Sequence, residues 1–422
     1  MAHDRLRRKI ERTIDDFPWY GERLSAEGIN LSGDISLEQL PLLTEEVLER
    51  HYYGGEPPPF ATRDGISSYR TSGTSTGRRK TIYYSREDEH HYVRIKSELF
   101  AKLLEPLRAR TALSDMGTGH AAATAVDVFA GAGVFAQLIS FEKPVTEHLA
   151  KLDSLRPDVL YTMPSIVDRL LAASTADPAT YGIRHVLLVG EIASPAWRAG
   201  IAARFGLSPT DVTDTLGSIE IGTIAYYSHE VNRYLFVEGI EAEAIPISAV
   251  SDVSTGEHDE SSKVAPPHPQ DQVLVLTSYT RDLFPSIRYV TYDIVRDLRP
   301  ILINERWTMS FEAIVGRIGP ELKHGEKISL YDIEEVVYRH LPGANIRVLA
   351  GGNKLTVQVD DKERDPQVYA AIEADLADRI PDIGTMIRGG LLDALRVVPA
   401  NISYEGTALK HKKIHYDRGT NA

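Results

Sequence analysis

The sequence predicts an α/β protein. A large N-terminal unit, residues 1–315, is built on a largely parallel sheet with flanking helices, and a small α+β unit, residues 316–422, follows it. Three observations carry this reading. Between residues 112 and 188, short apolar runs alternate with amphipathic stretches, the pattern of strands joined by helical crossovers. Apolar, β-rich segments then recur at residues 273–277 and 286–292. Near Gly316 the pattern changes to helix, paired strands and helix, which suits a unit of roughly one hundred residues.

The elements follow in order. Residues 5–22 and 37–51 predict two helices, and Pro57-Pro58-Pro59 breaks any regular element after them. Residues 86–105 have helical spacing, with Tyr92, Ile95, Leu99 and Leu103 on one face. Residues 159–161 and 185–189 predict buried strands, with a helix at 166–173 between them. A stretch rich in Ser, Pro, Asp and His at 248–272 predicts an exposed loop. In the small unit the pattern predicts a helix at 331–340 and strands at 345–350 and 354–359 about a Gly351-Gly352-Asn353 turn. A second helix covers 365–379.

Composition narrows the function. The chain has 422 residues, 42% apolar and 25% charged, the balance of a globular protein. Lys and Arg number 47 against 60 Asp and Glu, a formal net charge of −13. So acidic a chain is poorly suited to nucleic acid or an anionic membrane. It has no cysteine, which excludes disulfides, thiolate metal sites and a Cys nucleophile. The basic, polar start lacks the apolar core of a signal peptide, and residues 121–140 fall short of a membrane span. The expected compartment is the cytoplasm.

The most informative stretch runs from Thr71 through Ser72, Gly73, Thr74, Ser75 and Thr76 to Gly77, every residue a hydroxyl residue or glycine. Such a loop presents backbone N–H groups and hydroxyls to phosphate oxygens without obstruction, and Arg78, Arg79 and Lys80 supply countercharge. Three other readings stand beside this one. One is a flexible polar loop. A nucleotide P-loop needs four residues between its glycines and a following Lys-Ser/Thr, and finds three and Arg-Arg-Lys-Thr. Gly73 to Gly77 also spells the G-x-S-x-G elbow of a serine hydrolase with Ser75 as nucleophile; an elbow needs a helix next, and residues 81–84 predict a strand.

With the rest of the chain considered, the loop resembles the T-S-G-T-T-G-x-P-K phosphate loop of the adenylate-forming superfamily of acyl-CoA synthetases, adenylation domains and luciferases. Arg79 stands at the usual proline. Later motifs resemble that family in the same order. Val189-Gly190-Glu191 is similar to the segment bordering adenine. Leu216-Gly217-Ser218-Ile219-Glu220 resembles Y-G-S-T-E, with Leu216 at the stacking aromatic and Ile219 at the phosphate-facing threonine. Residues 284–293, ending in Asp293, resemble P-x-I-R-Y-R-T-G-D. Gly316-Arg317 resembles the hinge motif, with Gly319-Pro320 where its acid pair is expected. Ile333-Glu334-Glu335-Val336 matches I-E-E-V, and Lys413-Ile414 aligns with the C-terminal lysine, Lys410 and Lys412 being its alternatives.

The resemblance implies a β-barrel-like part in the large unit and mobility of the small one. It implies ATP and Mg2+ as cofactors. Asp293 and Arg317 would take the ribose, Glu220 the magnesium, and the loop with Lys80 the phosphates. Glu220, Thr74 and Lys413 form the implied catalytic set. The implied reaction converts a carboxylic acid to its acyl-adenylate and passes it to CoA, a carrier-protein thiol or an amine. The segment at residues 234–246 resembles the phenylacetate-CoA ligase branch, with some likeness to short phenazine-acid adenylating members, and so favours an aromatic acid. A homodimer is left open. The rival reading, motivated by Leu216, Ile219 and the lost hinge acid, is a member that binds an aryl or acyl ligand without turnover. Outside the motifs, His90-His91 lack the i, i+4 spacing of a metal pair, whereas His120 follows a small-residue loop and has two readings, a capping or structural role and a place in the carboxylate pocket.

Overall fold

A computed structural model describes residues 2–54, 57–70, 80–116, 119–250, 268–318, 329–351, 354–362, 364–380, 383, 387, 392, 394–402 and 413–416. The chain opens with helices α1 (Ala2–Asp16) and α2 (Pro18–Ala26). They replace the single helix expected over 5–22, because Pro18 carries no N–H and takes the first position of a new helix. The helix expected over 37–51 is also divided. A 3-10 turn at Leu37–Gln39 is followed, past Pro41, by the short α3 (Glu45–Leu48) and a π turn at Glu49–Tyr53. The interruption has a purpose in the fold: Leu43 leaves helical geometry to donate its N–H to Arg288 O at 2.9 Å and accept from Val290 N at 3.0 Å.

Strands β1 (Ser67–Arg70) and β2 (Thr81–Tyr84) form an antiparallel pair. Helix α4 (Arg86–Leu104) follows, capped reciprocally by Ser85 and Asp88 at 3.0 Å each way. Then come β3 (Thr111–Ser114), α5 (His120–Gly131), β4 (Phe135–Leu138), α6 (Val145–Leu155), β5 (Val159–Thr162), α7 (Pro164–Ala173), β6 (His185–Val189), α8 (Pro195–Phe205) and β7 (Val212–Ser218). These strands run parallel in the order β4-β3-β5-β6-β7, and β5 and β6 are buried at every residue. The alternation in the sequence is thus borne out.

The sheet does not stop there. Beyond β7 come β8 (Gly222–Ser228) and β9 (Arg233–Phe236), and later β13 (Arg299–Ile303) and β14 (Arg306–Phe311), all antiparallel, extending it to nine strands. The barrel-like part is a four-stranded antiparallel sheet of β10 (Ile240–Ile245), β11 (Asp271–Ser278), β12 (Tyr289–Arg296) and β15 (Ala313–Arg317). Here the strand expected from Ser286 starts at Tyr289, because Arg288 takes φ +49° and turns the chain into the sheet. Strand β15 keeps Gly316 and Arg317 paired with Ile294 and Asp293, so the sheet of the large unit runs through the expected start of the small one.

The small unit holds α9 (Leu330–His340), the hairpin β16 (Asn345–Gly351) and β17 (Lys354–Asp360), α10 (Pro366–Arg379), β18 (Ala394–Pro399) and β19 (Ile414–Tyr416). Strands β18 and β19 add in parallel to the outer edges of the hairpin. The unit docks on α7 and α8. Its Glu335 carboxylate accepts the Ala196 N–H at 2.7 Å in the first turn of α8, and the Gly343 backbone lies 3.2 Å from where a Cβ on Gly200 would sit.

Candidate active site

The site is assembled where strand ends from both sheets meet. Asp293 and Arg317 are cross-strand partners on β12 and β15, their charged groups 3.5 Å apart. Burial pushes the Asp293 carboxyl up, Arg317 pulls it down, and the nearby Glu220 adds to the upward push. Tyr289, four residues before Asp293, buries its hydroxyl in the field of Glu220, Arg317, Asp293 and Glu45, and its pKa stays well above the ordinary value, chiefly through desolvation. Lys80 pairs with Glu45 and lies 4.5 Å over the ring of Tyr53, and the Tyr53 hydroxyl also senses Glu220. The Glu45 backbone N–H is held by the Tyr292 hydroxyl at 2.9 Å.

Lys80, Glu220, Asp293 and Arg317 are therefore brought together from four separate segments. Glu45, Tyr53 and Tyr289 join them without having been expected. Tyr289 had a signal, since it sits inside the motif that ends at Asp293. Glu45 and Tyr53 had none, because their placement depends on Leu43 entering the sheet.

The turn that carries Glu220 is clamped. Ser218 Oγ accepts the Ile221 N–H at 3.2 Å, the Tyr84 hydroxyl donates to Ile219 O at 2.7 Å, and Arg281 Nε donates to Glu220 O at 3.1 Å. Arg281 is itself buried beneath the Tyr84 ring and paired with Asp88 at 2.6 Å. Among the described residues the Glu220 carboxylate takes no hydrogen bond, so the clamp fixes its backbone and leaves the acid available. Leu216, partly buried, packs against the hydrophobic core, and a Cβ on Gly217 would meet Gly222 O at 3.0 Å.

Gly190 takes φ +84° at the end of β6, a left-handed geometry that glycine adopts without strain. Glu191 then turns back to accept the N–H and Oγ of Ser165, each at 2.8 Å, at the N-terminus of α7. Its carboxylate has a structural duty. His120 is buried at the start of α5, bonded to Glu89 at 2.7 Å and stacked on Tyr84, and burial pulls its pKa down.

Lys413 departs from expectation. Its ammonium lies 2.9 Å from Asp168 of α7 and 2.9 Å from Glu334 of α9, and 5.2 Å over the Trp197 ring, instead of beside Glu220 and Asp293. Two buried carboxylates hold it there, so in this arrangement it joins the small unit to the large one. Thr71, Ser72, Gly73, Thr74, Ser75, Thr76 and Gly77 lie outside the described residues, as do Gly319, Pro320, Lys410 and Lys412. What flanks the loop is described: Arg70 pairs with Thr81, and β2 follows as a strand. The helix that a nucleophile elbow on Ser75 requires is absent from that position.

Solved structures share this architecture. 2-Hydroxyisobutyryl-CoA ligase in its postadenylation state matches with a TM-score of 0.70 at 16% identity, over 98% of this chain and 88% of that chain. A benzoate CoA ligase from Burkholderia xenovorans LB400 matches with a TM-score of 0.51 at 16% identity, over 87% and 71%. The architecture, with the motifs in their order, is that of the adenylate-forming ligases. A family model described as the fumarate–diaminopropanoate ligase C-terminal domain matches residues 323–403. The fumarate–(S)-2,3-diaminopropanoate ligase of Enterobacter agglomerans is 35% identical over 388 residues, 92% of this chain and 93% of that one. The chain belongs to the family of that ligase.

Proposed function

We propose that the protein activates a small dicarboxylic acid, with fumarate the first to test, as its acyl-adenylate and transfers the acyl group to an amine. The observation that carries this is the convergence of Asp293, Arg317, Glu220 and Lys80. A buried carboxylate already paired with a cation suits the ribose hydroxyls. An acid held only by its backbone suits a hard cation. Among the described residues no three acidic or histidine side chains gather into a metal cluster. Magnesium would therefore ride on the phosphates with Glu220 as a protein ligand, supplying charge neutralisation. Lys80, released from Glu45, together with residues 71–77, would face the phosphates.

In the first step a substrate carboxylate oxygen attacks the α-phosphorus of ATP and the bond to pyrophosphate breaks. In the second an amine nitrogen attacks the acyl carbon, AMP leaves, and the nitrogen loses a proton. The site's contribution is positioning and charge neutralisation. The relative named above points to a dicarboxylic acid and an amine, ahead of the aromatic acid and thiol acceptors that branch likeness suggests. The lysine that meets the α-phosphate would come from the C-terminal set Lys410, Lys412 and Lys413, and Lys413 would first have to leave Asp168 and Glu334. The test is pyrophosphate release across a panel of dicarboxylic, aryl and aliphatic acids, followed by mass spectrometry with 2,3-diaminopropanoate, other amines and CoA. Fumarate-dependent release and an amide product are expected. Release with no acid would leave a ligand-binding protein without turnover, and a thioester product would replace the amine by CoA.

A further inference from the structure

Resting on the reading that the substrate is a dicarboxylic acid, we propose that Lys96, with the phenols of Tyr92 and Tyr161, receives the substrate's second carboxylate. Lys96 lies in the third turn of α4 and is only 4% exposed. Its ammonium donates to Tyr92 Oη at 2.8 Å and to Tyr161 Oη at 2.6 Å. The rings of Tyr92, Tyr161 and Phe100 surround it at 4.9–5.6 Å. No carboxylate among the described residues pairs with it. Several other buried cations have one: Lys9 has Asp282, Arg281 has Asp88, Arg233 has Asp297, and Lys413 has two acids, whereas Arg198 shares with Lys96 the lack of an ion pair among the described residues.

The hydrogen-bond count sharpens the anomaly. Lys96 has three protons and spends two on the phenol oxygens. Each phenol, having accepted from lysine, still has its own O–H to donate, and neither meets an acceptor among the described residues. Three donor protons, one of them on a charged group, are left over in a buried setting that lacks an anion among the described residues. Buried polar groups are expensive unless paired, so an arrangement like this is complete only with an acceptor bearing negative charge. A carboxylate has the lone pairs for all three.

The cluster lies against the site described above. The Tyr92 ring stands 4.2 Å from the His120 ring, and it would be 3.0 Å from a Cβ on Gly222, two residues past Glu220. Tyr161 lies toward the carboxyl end of β5, the side of a parallel sheet on which ligands bind. A rigid, trans-configured dicarboxylic acid anchored here by one end would have its other end aimed at the reaction centre.

The experiment compares fumarate with monomethyl fumarate in pyrophosphate exchange, using wild type, Lys96→Met and Tyr161→Phe. The readout is the ratio of kcat/KM for the two acids within one protein, which the fraction of folded enzyme does not affect. In wild type fumarate is expected to be preferred. In Lys96→Met the ratio should fall by about a hundredfold, as sites built for a polar group reject partners lacking it. In Tyr161→Phe it should fall less, and Lys96→Arg should restore part of it. An unchanged ratio in both Lys96→Met and Tyr161→Phe would overturn the proposal, and if Lys96→Met does not fold, an unchanged ratio in Tyr161→Phe does so alone. A wild type that exchanges with other acids but prefers the monoester overturns it too, leaving acid activation intact. A wild type inactive with every acid instead removes the reading on which the proposal rests.

Discussion

Two ion clusters, one between paired strands of a sheet and one between the large unit and the small one, behave differently. At the proposed nucleotide site Arg317 reaches Asp293 at 3.5 Å with its side chain 49% exposed. At the seam between the units Lys413 sits at 2.9 Å from both Asp168 and Glu334, and its side chain is 8% exposed. The first pair can exchange partners for a ligand, because water already competes for the guanidinium. The second cannot without leaving two acids unpaired in the interior. Motif order alone made Lys413 and Arg317 equivalent expectations; burial separates them.

The largest expected effect breaks the second cluster. Lys413→Met should destabilise the protein by about 3–5 kcal/mol, the usual consequence of stranding buried charge, seen as an earlier midpoint in urea. A loss below about 1 kcal/mol would mean that the lysine is not anchored between the acids. Next, Asp293→Ala should weaken ATP binding by about 2–3 kcal/mol, the worth of hydrogen bonds to a charged acceptor, measured by calorimetry, while the urea midpoint moves little. Unchanged affinity would remove the ribose from this site.

A buried acid without a cation in contact sharpens the contrast. Asp214 accepts the Tyr234 hydroxyl at 2.5 Å, and burial pushes its carboxyl up to about 6. With a folded pKa above the unfolded one, the stability it contributes is full below pH ~4 and is lost as pH rises through about 6. The loss should reach at most about 3 kcal/mol, and Asp214→Asn should flatten the dependence of stability on pH in that window. A profile unaltered by the substitution would put the titration elsewhere. The smallest effect belongs to Glu191→Gln. Weakening one charged contact at the N-terminus of α7 should cost about 0.5–1 kcal/mol, and exchange activity should survive, since the carboxylate is already held by Ser165. Abolished exchange would give the carboxylate a direct role.

How much was legible in the sequence depended on the range of the interactions. Strands β5 and β6 announced themselves because full burial on both faces demands unbroken apolar runs. Asp293 and Arg317 were singled out because one ends a local motif and the other belongs to the pair that opens the next, and the structure pairs them across β12 and β15. Glu45 and Tyr53 were invisible, since a helical pattern at residues 37–51 concealed Leu43 bridging to β12. The antiparallel extension from β8 to β14 was missed for a similar reason: its outer strands expose Leu302 and Trp307, so their apolar residues do not mark a buried face. Where Lys413 sits in this arrangement was not legible, because adjacency to isoleucine fits both a phosphate-facing lysine and one buried between acids. Only the positions of Asp168 and Glu334, far away in sequence, distinguish them.

The most direct test of the account is fumarate-dependent pyrophosphate exchange in wild type and Asp293→Ala side by side, at ATP below saturation. Exchange is expected in wild type and should fall by about thirtyfold to a hundredfold in the variant, the kinetic equivalent of the binding loss above. Equal exchange in the two proteins would contradict the claim that β12 and β15 build the nucleotide site.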